Sequence, residues 1–262
     1  MIGKNSVRYL ASPVLTSCES VAHAFLSRAG GVSPAPFDSL NLGYTGTEGT
    51  DSPELVDKNF AILGRALGVT RDNLFAIRQV HGSRVAVAED EMRDGKNPPH
   101  VIEADAAITA LTGVAVGVLT ADCLPVLLYD PVKRVAGAAH AGWKGTEKEI
   151  GSKTVEAMRA RFASRPEDIR AALGPCIGPC CYEIGDEVAQ RFSATKALLR
   201  EGGRTTLDMA LANMEQLERG GLKRENITLP GACTACSNRD FFSYRKDAGS
   251  TGRQLSFIII RG

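Results

Sequence analysis

Hydrophobic residues recur every three or four positions in the segment that begins at Pro53, as on one face of an amphipathic helix. Ser52 suits the N-cap, Pro53 the first helical position, and Gly68 the position just beyond the end. The pattern therefore predicts a helix over Pro53–Leu67. Its apolar face would carry Val56, Phe60, Leu63 and Leu67.

Three later segments show the same periodicity. We predict a helix over Thr146–Phe162, and a shorter one from Gly185–Asp186 to about Leu199. A fourth helix would be capped by Thr205 or Thr206. The positions that we expect to face the core are Ile150, Met158 and Phe162 in the first of these helices, and Leu207, Leu211, Met214 and Leu217 in the last.

Short apolar runs bounded by Gly, Asp and Pro predict β-strands, and several are apolar throughout, as in strands covered on both faces. They span Leu74–Val80, Arg84–Ala88, Ala106–Thr109, Val114–Thr120, Val126–Tyr129, Val135–Ala139 and Leu255–Ile260. The charged segment Glu89–Pro99 is expected to be an exposed loop. Strands and helices do not alternate strictly, so we expect one α/β or α+β layered domain over residues 1–262, neither a barrel nor a Rossmann sheet.

Charge and hydrophobicity disfavour several functional classes of protein. The 262 residues carry a formal net charge of +1, which disfavours a nucleic-acid binder acting by bulk charge neutralisation. No apolar run approaches the roughly 18 residues of a membrane span, and the N-terminal segment has no signal-peptide pattern. We therefore expect a cytoplasmic protein whose seven Cys are reduced.

Three short segments interrupt the strand pattern with chemically reactive residues. They are Gln79–Gly82, which contains His81, Thr120–Pro125, which contains Cys123, and His140–Gly145. Two imidazoles and a thiolate are good zinc ligands and leave a fourth position open; copper accepts the same donors. The ligands would converge only if their strands are neighbours. Cys123 and His140 could equally form a nucleophile–base pair with Asp122 or Asp105 as orienter, and the residues alone favour neither interpretation.

The third segment also suits an anion. Gly142 and Gly145 lie at the start of the predicted helix, where backbone N–H groups favour a phosphate or carboxylate, and Lys144 adds a positive charge. The spacing is not that of a P-loop. A glycine-rich turn with a solvated Lys is the commoner meaning of such a segment.

Taken together, these segments resemble the bacterial YfiH-like family, whose members are described as multicopper polyphenol oxidoreductases (laccase-like), purine nucleoside phosphorylases or peptidoglycan editing factors. The resemblance covers nearly the whole chain. Lys144 stands where the family usually has Arg, which keeps the charge but not the bidentate fork. The matching segments, in order, are residues 23–33, 39–42, 79–82, 120–123, 140–143, 174–178, 181–183, 233–234, 241–245 and 252–254.

The resemblance implies that His81, Cys123 and His140 form a zinc site and act in catalysis. It also implies a layered αββα-type fold similar to the catalytic domain of cytotoxic necrotising factor toxins. The residues expected to contact the substrate are Arg28, Asn41, Gln79, Lys144 and Arg245. Of these, Arg28, Lys144 and Arg245 are the available cations for a phosphate.

Family activities include phosphorolysis of adenosine, inosine, guanosine and methylthioadenosine, deamination of adenosine, oxidation of phenols, and removal of a wrong amino acid from a peptidoglycan precursor. We expect a zinc-dependent purine nucleoside phosphorylase with adenosine deaminase activity. It would act as a monomer on small molecules, and the alternatives are the amide hydrolase and the laccase-like oxidoreductase. A laccase proper needs more His ligands than the four His present, of which His23 and His100 lie outside the proposed site.

The remaining Cys are expected to be reduced thiols near the cleft walls. Cys233 and Cys236 form a C-x-x-C, but no second C-x-x-C is present to complete a zinc site. Cys176, Cys180 and Cys181 could bind a soft metal only if the chain brought Cys233 close to them.

Overall fold

The strands of the computed structural model, which describes residues 6–44, 51–92 and 102–262, form two main sheets. The strands in chain order are β1 (Tyr9–Leu10), β2 (Val21–Leu26), β3 (Leu74–Phe75), β4 (Ile77–Arg78), β5 (Val85–Val87), β6 (Ile102–Glu103), β7 (Ala106–Thr109), β8 (Ala115–Thr120), β9 (Leu124–Asp130), β10 (Val135–Ala141), β11 (Arg170–Leu173), β12 (Leu198–Glu201), β13 (Arg204–Leu207), β14 (Ile227–Thr228) and β15 (Gln254–Ile260). The first sheet has the order β1-β2-β15-β8-β3 and the second β14-β11-β9-β10-β7-β5.

Helices lie mainly on the outer faces of the sheets. In chain order they are α1 (Pro13–Thr16), α2 (Pro53–Leu67), α3 (Ala88–Glu91), α4 (Trp143–Glu147), α5 (Ile150–Phe162), α6 (Asp186–Arg191) and α7 (Met209–Arg219), with short 3₁₀ turns at Pro166–Asp168 and Arg224–Asn226. Within the described ranges, no helix is long and apolar enough to cross a membrane.

Packing confirms the predicted layered α/β architecture. Between the sheets, Phe25 and Ile258 of the first meet Leu127 and Tyr129 of the second. Alternate residues point outward, so a separate cluster joins the second sheet to α5 and α7, and another joins the first sheet to α2. The order of layers is helix, sheet, sheet, helix, and strands buried on both faces explain the continuous apolar runs.

Helix α2 begins and ends at the predicted residues. The Ser52 side chain accepts a hydrogen bond from the backbone N–H of Leu55, and Gly68 adopts a left-handed conformation with φ of 74°. Val56, Phe60 and Leu63 are buried as expected. The signals at the two ends of α2 act within one helical turn, and the sequence alone therefore predicts where this helix begins and ends.

The other helix predictions need correction. The helix expected over Thr146–Phe162 is two helices, α4 and α5, because Glu149 has a φ of 57° and breaks the run. The helix expected to reach Leu199 ends at Arg191, and Leu198 begins a strand. That strand forms a hairpin with β13 across the two left-handed glycines Gly202 and Gly203.

That hairpin moves the start of the fourth predicted helix. Thr205, Thr206 and Leu207 pair with β12, so the cap of α7 is Asp208, whose side chain accepts from the Leu211 N–H at 2.9 Å. The loop predicted over Glu89–Pro99 is also partly wrong, since Glu89–Glu91 belong to α3. Its remainder, with His100, lies largely outside the described residues.

Strand boundaries differ modestly from those predicted, apart from the run Leu74–Val80. That run divides into β3, which joins the first sheet, and β4, which pairs with β6, while Gln79 and Val80 are in no strand. Strands β9 and β10 extend beyond the predicted ends, so His140 lies within β10 and not after it. This difference matters for the site.

His23 is a structural residue on β2, and it gives the fold a pH-dependent component. Its Nε2 accepts a hydrogen bond from the Ser12 backbone N–H at 2.7 Å, which requires a neutral ring nitrogen. Burial, assisted by the positive charge of Arg261, lowers the pKa of His23 to about 4. The unfolded chain, with an ordinary His pKa of about 6.5, therefore binds more protons between these two values.

Stability is expected to be fully present above pH 6.5 and to fall as pH drops from about 6.5 to about 4. Because His23 is only partly buried, we expect a discounted loss of about 1–2 kcal/mol from this residue. Urea unfolding of wild type and His23→Gln at several pH values measures it. The Gln variant should lose less stability on acidification, and equal losses would contradict the assignment.

Candidate active site

His81, Cys123 and His140 converge at one end of the second sheet, where their ligand atoms all lie within 4.8 Å of one another. His81 Nε2 is 3.9 Å from Cys123 Sγ, and the two imidazole rings meet edge to face with centroids 4.8 Å apart. His140 is buried, Cys123 half-buried and His81 exposed. A group of this kind could hold a metal ion that remains open to a substrate on the exposed side.

Strand pairing explains why residues far apart in the chain meet. In the antiparallel register, His140 of β10 lies opposite Pro125 of β9, which places Cys123 just beyond. On the other side, Ala139 pairs with Ala106 of β7, so that Asp105 lies next to His140. Cys123 occupies the turn where the chain passes from the first sheet to the second.

Asp105 is a fully buried carboxylate that holds both His segments in place. Its Oδ1 accepts from His140 Nδ1 at 2.9 Å and from the His81 backbone N–H at 2.9 Å. Its Oδ2 accepts from the N–H groups of Gly82 at 2.6 Å and Val80 at 3.2 Å. With Nδ1 bound to Asp105, Nε2 is the nitrogen of His140 that is available to a ligand.

The backbone leaves little room around these side chains. A Cβ on Gly142 would lie 2.9 Å from Cys123 Sγ and 3.1 Å from His81 Cδ2, so only glycine lets α4 begin this close. His81 itself has a φ of 56°, and Asp105 supports that left-handed conformation by accepting its N–H. The close packing at Gly142 and the left-handed backbone at His81 therefore both serve to bring the reactive side chains together.

Charges couple Cys123 and His140. Burial alone would raise the pKa of the thiol, but the charge of His140 and hydrogen bonds from both imidazoles lower the pKa of Cys123 to about 6. For His140, burial works against protonation, yet the thiolate and the hydrogen bond to Asp105 raise its pKa to about 9. The arrangement favours a thiolate, which is the form that both binds metals and attacks electrophiles.

Of the two candidate orienting carboxylates, Asp105 contacts the ligand set and Asp122 does not orient a His. Asp122 Oδ1 accepts from Thr234 Oγ1 at 2.6 Å, and Oδ2 accepts from the Arg245 backbone N–H at 2.6 Å. Asp122 therefore fastens the 233–245 segment next to Cys123. It positions the wall of the site.

Three of the expected substrate contacts are used inside the protein. Gln79 bonds both backbone groups of Leu119 at 2.8 Å through its amide. Asn41 is buried and bonds Gly43, Asp51 and the Arg253 backbone. The Arg28 guanidinium bonds the Asp38 and Asn238 carbonyls and the Asp38 carboxylate, and stacks on Phe242. Each of the three side chains thus has polar partners within the described chain, and their contact with a substrate stays a prediction.

The other two expected substrate contacts, Lys144 and Arg245, have fewer polar partners within the described chain. The Lys144 side chain makes no hydrogen bond or ion pair to any described residue, and its Nζ lies 5.4 Å from the Trp143 ring centroid. Arg245 lies 5.4 Å from the Tyr182 ring centroid and donates from both terminal nitrogens to the Glu183 carbonyl at 3.2 Å.

Sequence reasoning missed three residues of this neighbourhood. Lys148 Nζ donates to the His81 carbonyl at 3.4 Å. Arg253 interacts electrostatically with Cys123 and Asp122, while its burial lowers its pKa. Tyr182 is half-buried, and its pKa is raised to about 12 by desolvation and by the charges of Cys123 and Asp122. The segment 252–254 contains Arg253, but the sequence alone does not show that this side chain lies near Cys123 and Asp122.

Comparison with known proteins extends the picture. Residues 22–261 match the family described as multi-copper polyphenol oxidoreductase laccase. A protein of Deinococcus radiodurans named purine nucleoside phosphorylase is 44% identical over 91% of this chain and 89% of its own length. Purine nucleoside phosphorylase YfiH of Escherichia coli is 38% identical over 92% of this chain and 94% of its own length.

Solved structures show the same fold. The crystal structure of the hypothetical protein YfiH from Bacillus licheniformis superposes with a TM-score of 0.88 at 30% identity, covering 100% of this chain and 98% of that one. YlmD from Geobacillus stearothermophilus gives a TM-score of 0.88 at 29% identity over 100% of this chain and 98% of its own.

Proposed function

The chain belongs to the multi-copper polyphenol oxidoreductase laccase family, within which its relatives are named purine nucleoside phosphorylases, and we propose that it is a zinc-dependent enzyme of that kind. The convergence of His81, Cys123 and His140 is the observation that carries the proposal. The family's name alone does not make the chain a laccase, because four His cannot supply a type 1 copper site together with a three-copper cluster.

The donor set fits a single zinc or copper ion. Two imidazole nitrogens and one thiolate are borderline-soft ligands, and Asp105 fixes the ring orientation of His140 as carboxylates commonly do behind metal-binding His. When bound, zinc supplies a Lewis acid that polarises a substrate atom. We favour zinc because three protein ligands with an open position are typical of its catalytic sites.

The surrounding residues suit a nucleoside and an anion. Phosphorolysis requires a phosphate oxygen to attack the anomeric carbon of the ribose while the C–N bond to the purine breaks, so the phosphate must be held beside the sugar. Lys144, Arg245 and Arg253 are the cations that we propose for this task. Tyr182, a half-buried aromatic residue that interacts electrostatically with Cys123, is the ring that we propose for stacking on the purine.

The assay that tests the proposal follows adenosine by chromatography, with and without phosphate, after zinc has been added to the purified chain. Phosphate-dependent release of adenine and ribose 1-phosphate is expected, and inosine formed without phosphate would reveal the adenosine deaminase activity that we also propose. Inosine, guanosine and methylthioadenosine are tested in parallel. Absence of nucleoside turnover at every phosphate concentration would overturn the proposal.

A second candidate is an amide hydrolase that uses Cys123 as a nucleophile on a nucleotide-linked muramyl amino acid of a peptidoglycan precursor. The observation in its favour is geometric: Cys123 Sγ lies within 4.8 Å of a ring nitrogen of His140, and Asp105 accepts from Nδ1 of the same ring, which is the arrangement of a nucleophile, base and orienter. The lowered pKa of Cys123 and the raised pKa of His140 favour the thiolate. Release of a free amino acid by the zinc-free chain, abolished by iodoacetamide, would support it. Activity that requires zinc and survives Cys alkylation would exclude the thiol mechanism.

A further inference from the structure

A second group of sulfurs lies outside the candidate active site, and we propose that Cys180, Cys181, Cys233 and Cys236 bind one zinc ion as a four-thiolate site. The sequence offered only one C-x-x-C, which argued against such a site. The fold supplies the missing half, because it brings the adjacent pair Cys180–Cys181 against Cys233 and Cys236. This proposal does not rest on the proposed function.

The separations of the sulfur atoms fit a tetrahedral ion. All four lie within 4.8 Å of one another, with Cys236 Sγ at 3.5 Å from Cys180 Sγ and at 3.4 Å from Cys181 Sγ. Around a zinc ion with Zn–S bonds of about 2.3 Å, tetrahedral geometry separates the sulfurs by about 3.8 Å. A polynuclear iron–sulfur cluster would push them further apart, because iron and sulfide atoms must fit between them.

Backbone contacts hold the two Cys-bearing segments in place without the metal. Cys176 and Cys233 form a parallel β-bridge, and the Thr234 N–H donates to the Cys176 carbonyl at 3.0 Å. A tight turn, closed by a 3.0 Å hydrogen bond from the Cys181 N–H to the Gly178 carbonyl, places Cys180 and Cys181 beside Cys236. Backbone hydrogen bonds therefore fix the positions of the Cys residues relative to one another.

Cys233 sits in a cradle of backbone donors that is suited to a thiolate. The Gly178 N–H donates to its sulfur at 3.2 Å, and the N–H of Cys236, three residues along the C-x-x-C turn, also donates to it. Such N–H···S bonds stabilise negative sulfur and are typical outer contacts of metal–thiolate sites. A Cβ on Gly178 would crowd both Cys233 Cβ at 3.3 Å and Cys180 Sγ at 3.4 Å.

The charge around the sulfurs is of the correct sign. Four thiolates and one Zn²⁺ have a net charge of −2. Cys180, Cys181 and Cys236 line an open depression. Four basic side chains and one acidic side chain also line it, namely Arg204, Arg239, Arg245, Lys246 and Asp240. Cys176, by contrast, is buried and does not belong to the group of convergent sulfurs.

The proposed zinc would brace the wall of the active site. It would join the 176–183 segment to the 233–245 segment, and both contact Asp122, the neighbour of Cys123. The Ile177 N–H donates to the Asp122 carbonyl at 2.9 Å, and Thr234 Oγ1 donates to its carboxylate. Removal of this zinc should therefore lower the thermal stability of the chain.

The test counts zinc in the full-length chain, purified anaerobically with a phosphine reductant and dialysed against Zn²⁺. Two zinc ions per chain are expected in wild type, one in a Cys180→Ser/Cys236→Ser variant, and two in the control Cys18→Ser. Cobalt substitution gives a second readout, since the double variant should lose most of the sulfur-to-cobalt absorption.

A separate arm leaves the four sulfurs unaltered. In Cys123→Ala, one equivalent of Zn²⁺ should protect Cys180, Cys181, Cys233 and Cys236 from iodoacetamide, and a chelator should remove the protection. Failure of the active-site zinc alone would give one ion in wild type and none in the double variant. Equal zinc in wild type and double variant, alkylation unaffected by Zn²⁺, or a native disulfide joining Cys236 to Cys180 or Cys181 would overturn the four-thiolate site.

Discussion

Replacing Cys123 with alanine is expected to lower kcat/KM for adenosine phosphorolysis about a thousandfold and to abolish zinc binding at the active site. Cys123 is the only thiolate among the three convergent donors, and its removal leaves two imidazoles. Loss of a bound Lewis acid costs several kcal/mol of transition-state stabilisation, and each 1.36 kcal/mol is a tenfold change in rate. Steady-state kinetics and elemental analysis of the same sample measure both effects.

Cys18→Ser is the matched control for this substitution. Cys18 lies in the core between the sheets, where its sulfur accepts from Arg170 Nη1 at 3.1 Å, an interaction that a hydroxyl can also make. The control should retain wild-type activity and active-site zinc. If Cys123→Ala also retained its activity, both the metal mechanism and the thiol mechanism would be wrong.

The sequence alone predicts which residues of the candidate active site are reactive, but it does not predict that they converge in space. His81, Cys123 and His140 each stand out as reactive residues in an apolar strand pattern. Their convergence depends on β10 lying between β9 and β7, an order set by pairing between distant parts of the chain. Before that order is known, the residues alone support a metal site and a Cys–His pair equally, and the family resemblance is what favours the metal.

Local signals predicted local structure well. Ser52 and Gly68 act within one helical turn, so the ends of α2 were predictable. By contrast, the helix breaks at Glu149, which adopts a left-handed conformation although it is not a glycine. The hydrophobic periodicity contains no signal for this break. The Gly202–Gly203 pair, by contrast, is a local hairpin signal, and both glycines are left-handed in the turn between β12 and β13.

Polar side chains were harder to assign than apolar ones. Gln79 bonds Leu119, and Arg28 bonds the Asn238 carbonyl, so partners far along the chain decide whether each side chain is free for a ligand. The same limitation hid the Cys cluster, because Cys181 and Cys233 belong to distant segments that meet through a β-bridge in the folded chain. A side chain's type thus predicts what chemistry it can do, and its tertiary partners decide whether it does so.

Asp105→Asn is expected to have the second-largest effect, although Asp105 makes no direct contact with a substrate in the proposed mechanism. The carboxylate accepts four hydrogen bonds, from His140 Nδ1 and from the N–H groups of Val80, His81 and Gly82. An amide has only one acceptor oxygen, so its NH₂ group must face two donors in either orientation.

Two consequences should follow from that mismatch. Zinc affinity should fall about 10–100-fold, as is usual when the carboxylate behind a metal-binding His is removed. The free energy of unfolding should fall by about 2–4 kcal/mol, because buried donors to a charged group lose their acceptor. A Zn²⁺ titration against a competing chelator and urea unfolding of the zinc-free chain separate the two effects.

Asp122→Asn provides the comparison that makes this result specific. Asp122 is also buried and accepts two hydrogen bonds, but its partners are Thr234 and the Arg245 backbone, not a His. This variant should lose stability while its active-site zinc affinity changes little. If both variants lost zinc affinity equally, Asp105 would be acting through general destabilisation. A loss confined to Asp105→Asn, with kcat falling further than KM changes, would identify Asp105 as the residue that holds His140 in its ligand orientation.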